Sequence, residues 1–221
     1  MSAQERPGAP GTGRRVVVVS GGLRQPSTTR LLADRMGVAV DRALRAAGRE
    51  VTTDVVDLRE HAQDLTTMLL TGYASAPLKA ALDRVATADA LVAVTPIFSG
   101  SYSGLFKTFF DVLDEGALEQ MPVLMGATAG TARHSLALDH AVRPLFAYLH
   151  AIVVPTGVFG ATEDFGRSAG STSEDAVPLA ARIDRGAREL AELVAARPPR
   201  GALPQDPFAL TVDFEDLLRG S

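Results

Sequence analysis

Cysteine is absent from the chain, which excludes a disulfide framework, a thiolate nucleophile and any cysteine-ligated metal or iron–sulfur cluster. Histidine is scarce, and the spacing of His61, His134 and His150 suits no metal, so these three are expected at the surface or in an interface. No apolar run approaches the ~20 residues that a membrane-spanning helix needs. The formal net charge is only -4, too little for long-range attraction to nucleic acid or anionic lipid, so any affinity for phosphate must come from a local site. Residues Met1 to Gly13 lack the continuous apolar stretch of a secretory signal. The expectation is a disordered N-terminal tail over 1–13 and a cytoplasmic protein. Internal repeats and low-complexity tracts are missing as well.

What the chain does have is a regular alternation of apolar runs and helix-period segments. Its 221 residues, 46% hydrophobic and 22% charged, suffice for one sizeable core, expected over 14–196, followed by a C-terminal arm over 197–221. Strands are predicted at Val16 to Val19, Val51 to Leu58, Ala90 to Thr95, Pro122 to Ala127 and Ile152 to Phe159. Helices are predicted from Ser27 toward Gly48, at Pro77 to Ala88, Ser103 to Leu113, Thr131 to Leu149 and Pro178 to Ala196. The stretch Arg59 to Ala76 resists assignment, and Gly160 to Ala176 reads as loop. This pattern implies an α/β fold with a doubly wound five-stranded parallel sheet in the order 2-1-3-4-5. Ligands of such sheets sit outside the carboxyl ends of the strands, near the point where the order reverses.

Three loops fall on that edge. The first, Ser20 to Arg30, combines two glycines with Ser20, Arg24, Ser27, Thr28 and Thr29 at a helix start, where unpaired N–H groups and the helix dipole favour an anion. It carries neither Gly-x-Gly-x-x-Gly nor Gly-Lys-Ser/Thr, so it is not a dinucleotide fingerprint or a P-loop, and a plain capped turn is the competing reading. The second, Thr95-Pro96-Ile97-Phe98-Ser99, can offer a flat apolar wall and backbone polar groups to a planar ring. The third, Thr128-Ala129-Gly130-Thr131, puts small and hydroxyl-bearing residues at a predicted helix start.

The run Pro96-Ile97-Phe98-Ser99-Gly100-Ser101-Tyr102-Ser103-Gly104-Leu105-Phe106-Lys107 resembles the Pro-x-Tyr-x-x-x-Tyr-Ser-Gly-x-x-Lys pattern of the NADPH-dependent FMN reductases. Gly21 to Ser27 is similar to that family's Gly-Ser-x-Arg-x-x-Ser loop, with Gly22 in place of Ser, while in the first pattern Phe98 stands in place of Tyr. The resemblance spans Val16 to Phe159 and is nearest to the reductases that serve two-component flavin-dependent monooxygenases. It implies a flavodoxin-like fold and hydride transfer from NADPH or NADH to FMN with no catalytic side chain. Arg24, Ser27 and Thr29 would hold the phosphate, Pro96, Ile97 and Phe98 would wall the isoalloxazine, and Thr128 to Thr131 would face its pyrimidine end. Asp139 to Pro144 resembles the stretch that forms a π-bulge at a tetramer interface in such reductases, with His140 at the matching position, implying a homodimer or homotetramer. An FMN-containing quinone or azo reductase and a flavodoxin-type electron carrier are the alternatives. Asp111, Asp114 and Glu115 are read as helix-end charges, Tyr102 as packing and Lys107 as a surface helix residue.

Overall fold

The computed structural model describes residues 13–166 and 177–200. β1 (Gly13–Ser20) pairs in parallel with β2 (Glu50–Asp57) on one side and with β3 (Ala90–Phe98) on the other. β5 (Pro122–Ala129) continues the parallel sheet beside β3, and two short strands, β6 (Ile152–Val153) and β7 (Val158–Ala161), pair with successive parts of β5. The order β2-β1-β3-β5-β6 is the expected doubly wound arrangement. β4 (Ser101–Tyr102) folds back antiparallel on β3.

Because alternate strand residues face opposite sides, the valines of β1 divide between two cores. Val16 and Val18 pack with Val92, Val94 and the buried faces of α1 (Thr28–Ala46) and α7 (Leu179–Ala195). Val17 and Val19 pack with Leu91, Ala93 and the apolar sides of α2 (Ala62–Thr71), α3 (Ala76–Ala86), α4 (Gly104–Asp111) and α5 (Arg143–Tyr148). Within the second core Phe106, Phe110 and Phe146 stack in tilted and edge-on pairs 4.8–6.3 Å apart, a geometry aromatic rings favour.

Several boundaries differ from expectation, each for a local reason. Gly13, placed in the tail, is already strand, opposite Glu50. Arg59 to Ala76 holds a tight turn at Leu58–His61 and then α2, which ends on Gly72 in the left-handed region. β3 runs on to Phe98 because β4 pairs with its end, and β5 runs on to Ala129 because β7 supplies partners. The fifth strand is interrupted at Pro155, which lacks the N–H a ladder needs, and α6 (Thr162–Gly166) follows β7 where loop was expected.

The long helix from Thr131 is not formed. A single tight turn at Ala132–His134 precedes a π-helical turn at Leu138–Val142, and regular α-helix begins only at Arg143. A proline ring conflicts with the carbonyl four residues back in a regular helix. Immediately before Pro144, the Arg143 N–H bonds to the Leu138 carbonyl, five residues back. His61 also departs from expectation, since it is buried and its Nδ1 has no partner among the described residues. After α7 the chain is tied to the amino edge of the sheet: Arg197 Nη1 donates to the Gln120 carbonyl at 2.7 Å and Arg200 Nη2 to that of Ala117 at 2.9 Å. The rest of the arm lies outside the described residues.

Candidate functional site

At the carboxyl edge of the sheet, the ends of β1, β3, β5 and β7 surround a cavity of about 370 Å³. The first-loop residues lining it are Leu23, Arg24, Pro26, Ser27, Thr28 and Thr29; Pro96, Ile97 and Phe98 come from β3, Thr128, Ala129 and Gly130 from the end of β5, and Thr162 from α6. All three loops picked out in the sequence thus meet at one cavity.

The end formed by α1 presents groups that favour an anion. Ser27 is the N-cap, its hydroxyl accepting from the Arg30 N–H at 3.1 Å, while the Leu31 N–H bonds to the Ser27 carbonyl. The Thr28 and Thr29 amides precede the first intrahelical bond, so they are free to meet a ligand. Arg24 is exposed and carries the only formal charge among the described lining residues. Arg30, nearby, is committed elsewhere: it pairs with Asp34 at 2.8 Å and with Asp57 at 3.1 Å. The hydrogen bond with Asp34 is the largest influence holding its guanidinium above the ordinary arginine value, opposed by burial and helped by the nearby Asp57.

Gly22 explains its own departure from the family loop. A Cβ there would lie 2.2 Å from the Ser27 hydroxyl and 3.2 and 3.3 Å from the Cβ atoms of Ser27 and Thr29. The space a serine would take is filled by the helix cap.

The opposite wall is flatter and less polar. Ile97 is 8% exposed and Phe98 45%, so Phe98 offers a ring to whatever enters. Both stand on the last pairs of the β3–β4 hairpin, Ile97 opposite Tyr102 and Phe98 opposite Ser101. Its two-residue turn places Ser99 at φ 50° and Gly100 at φ 85°, the left-handed pair such turns require. Ser99 is therefore a turn residue, outside the cavity lining. Thr95, also expected at the site, is fully buried; its hydroxyl accepts from the Ser103 N–H at 3.1 Å and donates to the Pro96 carbonyl at 3.0 Å, which fixes the hairpin.

Ser20 is fully buried at the end of β1, its hydroxyl without a partner among the described residues, and it is not part of the lining. Thr131 is exposed and likewise outside it. A Cβ at Gly130 would meet nothing within 4 Å, so no backbone demand keeps glycine there. The helix start predicted at Thr131 is not formed: only the tight turn at Ala132–His134 follows, so no regular helix presents its amino end to the cavity there. Thr29 and Thr128, by contrast, are brought together: their hydroxyl oxygens are 2.7 Å apart and buried.

Leu23, Pro26 and Thr162 line the cavity without having been singled out in the sequence. Thr162 follows the carboxyl end of β7, and the rule that ligands gather at strand carboxyl ends points to it once Phe159 is seen to belong to a strand. Tyr102 packs against the second core, as read from the sequence, and Lys107, read as a surface helix residue, pairs with Asp111. Among the described residues no cluster of His, Asp or Glu could hold a metal, and no helix is long and apolar enough to cross a membrane.

The donor set suits FMN. A cation and free helix amides stand at one end for a phosphate, and an apolar wall with an exposed ring and backbone groups stands at the other for a heteroaromatic plane.

Comparison with known proteins agrees. The family model for NADPH-dependent FMN reductase matches residues 14–166. The chain is 40% identical over 183 residues to the FMN reductase (NADPH) of Pseudomonas aeruginosa, covering 83% of this chain and 94% of that one. It is 36% identical over 179 residues to the NADH-dependent FMN reductase SfnF of Pseudomonas fluorescens, covering 81% and 91% respectively. Among solved structures, an oxidoreductase from Corynebacterium diphtheriae superposes with a TM-score of 0.78 at 44% identity, over 85% of this chain and all of that one.

Proposed function

The chain belongs to the NADPH-dependent FMN reductase family, and from that premise we propose that it reduces FMN, held in the cavity at the carboxyl edge of its sheet, with hydride from NADPH or NADH. The observation that carries the assignment to this cavity is its polarity along one axis: Arg24 and the α1 amides at one end, Pro96, Ile97 and Phe98 along the wall, and no carboxylate among the described residues of the lining. Arg24, Ser27 and the Thr28 and Thr29 amides hold the phosphate, and Phe98 and Ile97 bound the isoalloxazine. Bound FMN supplies the hydride acceptor, the flavin N5. The protein supplies alignment and exclusion of water, which is where rate comes from when no proton has to be moved by a side chain.

Both nucleotides stay within the proposal, because the relatives' names divide between NADPH and NADH. A flavin-dependent monooxygenase is the proposed consumer of the reduced flavin, and a homodimer or homotetramer the proposed assembly; the π-helical turn at Leu138–Val142, which contains His140, supports the likeness to the assembling reductases. The test is oxidation of NADPH and of NADH, followed at 340 nm, with added FMN, FAD and riboflavin. Turnover supported by FMN is the expected result. An electron carrier would show no steady turnover, and a quinone or azo reductase would retain its flavin and need the second acceptor.

A further inference from the structure

We propose that Thr128 is a positioning residue for the FMN phosphate, acting through Thr29 across the buried hydroxyl pair; this rests on the FMN reading above. Among the polar side chains that line the cavity, Arg24, Thr28 and Thr162 are exposed and Ser27 is half-buried, whereas Thr29 and Thr128 are 3% and 4% exposed. Their hydroxyls face each other at 2.7 Å across 99 residues of sequence, and neither has another partner among the described residues. Thr29 is the second residue of α1, whose cap is Ser27. Thr128 stands in β5, opposite Pro96 on one side and Gly160 on the other. The pair therefore joins the phosphate loop to β5, which lies beside the strand that carries the far wall.

A hydroxyl has one hydrogen to give and two lone pairs to receive. In this pair one hydroxyl donates to the other, and the acceptor keeps its own hydrogen for a third group. With no ligand, either polarity serves. A phosphate dianion at the α1 end selects one of them, because its oxygens only accept. Thr29 then donates to phosphate, and Thr128 donates to Thr29. A chain of hydrogen bonds in a dry setting strengthens its members, so Thr128 contributes to phosphate binding from outside the phosphate loop. Riboflavin offers no such acceptor, and the pair is indifferent to it.

The experiment is titration of FMN and riboflavin by flavin fluorescence on the full chain and its variants. Thr128→Val should weaken FMN by about five- to tenfold, the loss of one hydrogen bond, and leave riboflavin unchanged. Thr128→Ser should keep parental affinity for both. The Thr29→Val/Thr128→Val double variant should bind FMN no more weakly than Thr29→Val alone, since Thr128 then has nothing to orient. Thr128→Ala carries the same expectation if the valine variant does not fold. Equal weakening of both flavins, additive losses, or an unchanged preference for FMN would overturn the inference while leaving the function intact. A parent chain that binds neither flavin would overturn the function itself and the inference with it.

Discussion

Arg24 reaches the cavity from an exposed position, and that sets the size of its effect. A charge-assisted hydrogen bond contributes about 1.5–3 kcal/mol, and solvent screening places an exposed arginine near the low end. Arg24→Ala should therefore weaken FMN about tenfold, more at low salt than at high, with riboflavin hardly affected. Flavin titration at two ionic strengths checks this, and equal losses for both flavins would remove Arg24 from the phosphate site. Gly22 makes the opposite kind of case. Gly22→Ser supplies the hydroxyl that the family loop usually carries, but its Cβ falls on the Ser27 hydroxyl, so the cap must turn away. A lost N-cap costs about 1 kcal/mol, equivalent to a fall of roughly 2–4 °C in a chain of this size. Thermal unfolding should show that fall for Gly22→Ser and Gly22→Ala alike, and a serine variant as stable as the parent would mean that the cap and the new side chain coexist. Residue type alone marked Arg24, Ser27 and Phe98 as candidates, because charge, capping and aromatic character are written in the letter. The partners of Thr29 and Thr95 were not legible. Thr29 meets Thr128 and Thr95 meets Ser103, and those meetings depend on register and hairpin geometry that no single residue encodes.

Legibility was greatest for elements with a long, unbroken pattern. The valines of β1 and the apolar faces of α1 and α7 were read from spacing alone, since burial repeats over many residues there. It failed at short or interrupted elements: β4 has two residues, and β6 and β7 are split at a proline, so neighbours in space decide what local preference leaves open. The five-residue π-helical turn came from the family resemblance of Asp139 to Pro144, not from spacing, which read one long helix there. α6 is the clearest case. Its Phe165 lies beneath the Arg35 guanidinium, 5.6 Å from the ring centroid, and fills the space above Gly160, where a Cβ would come within 2.9 Å of the ring. Arg182 bonds both the Phe159 carbonyl and Asp164, the latter at 3.0 Å, closing the clamp. This anchoring holds Thr162 at the cavity. Phe165→Ala should lower stability by about 1–2 kcal/mol, less than the ~3–5 lost from a fully buried ring, and should weaken FMN severalfold. Denaturant unfolding and flavin titration on the same variant separate the two effects. A lower midpoint with parental flavin affinity would mean that Thr162 does not touch the ligand.

Across the whole molecule, the two cores meet at the site: α1 and the phosphate end proposed for it belong to one side of the sheet, and the hairpin, anchored through Ile97 and Tyr102, to the other. Self-association bears on how this is measured. Leu69, Leu70, Tyr73, Leu136 and Tyr148 are exposed, and sedimentation velocity at micromolar protein should find a dimer or tetramer; a monomer would count against that assembly. Because unfolding of an oligomer depends on protein concentration, comparisons of stability have to be made at one concentration. Under that condition, a ligand bridging both sides of the sheet should stabilise the fold as a unit. At a hundred times its Kd, a ligand that binds only the folded state adds about 2.7 kcal/mol, which for 150–250 residues corresponds to roughly 5–10 °C. FMN should raise the unfolding temperature by that amount. Riboflavin at the same concentration should raise it less, because it lacks the phosphate that Arg24 and α1 receive, and in Arg24→Ala the gap between the two flavins should narrow. The check is a thermal scan of parent and variant with each flavin, followed by circular dichroism so that flavin emission does not enter. If saturating FMN leaves the parental unfolding temperature where it was, the cavity at the carboxyl edge does not bind the flavin in the folded protein.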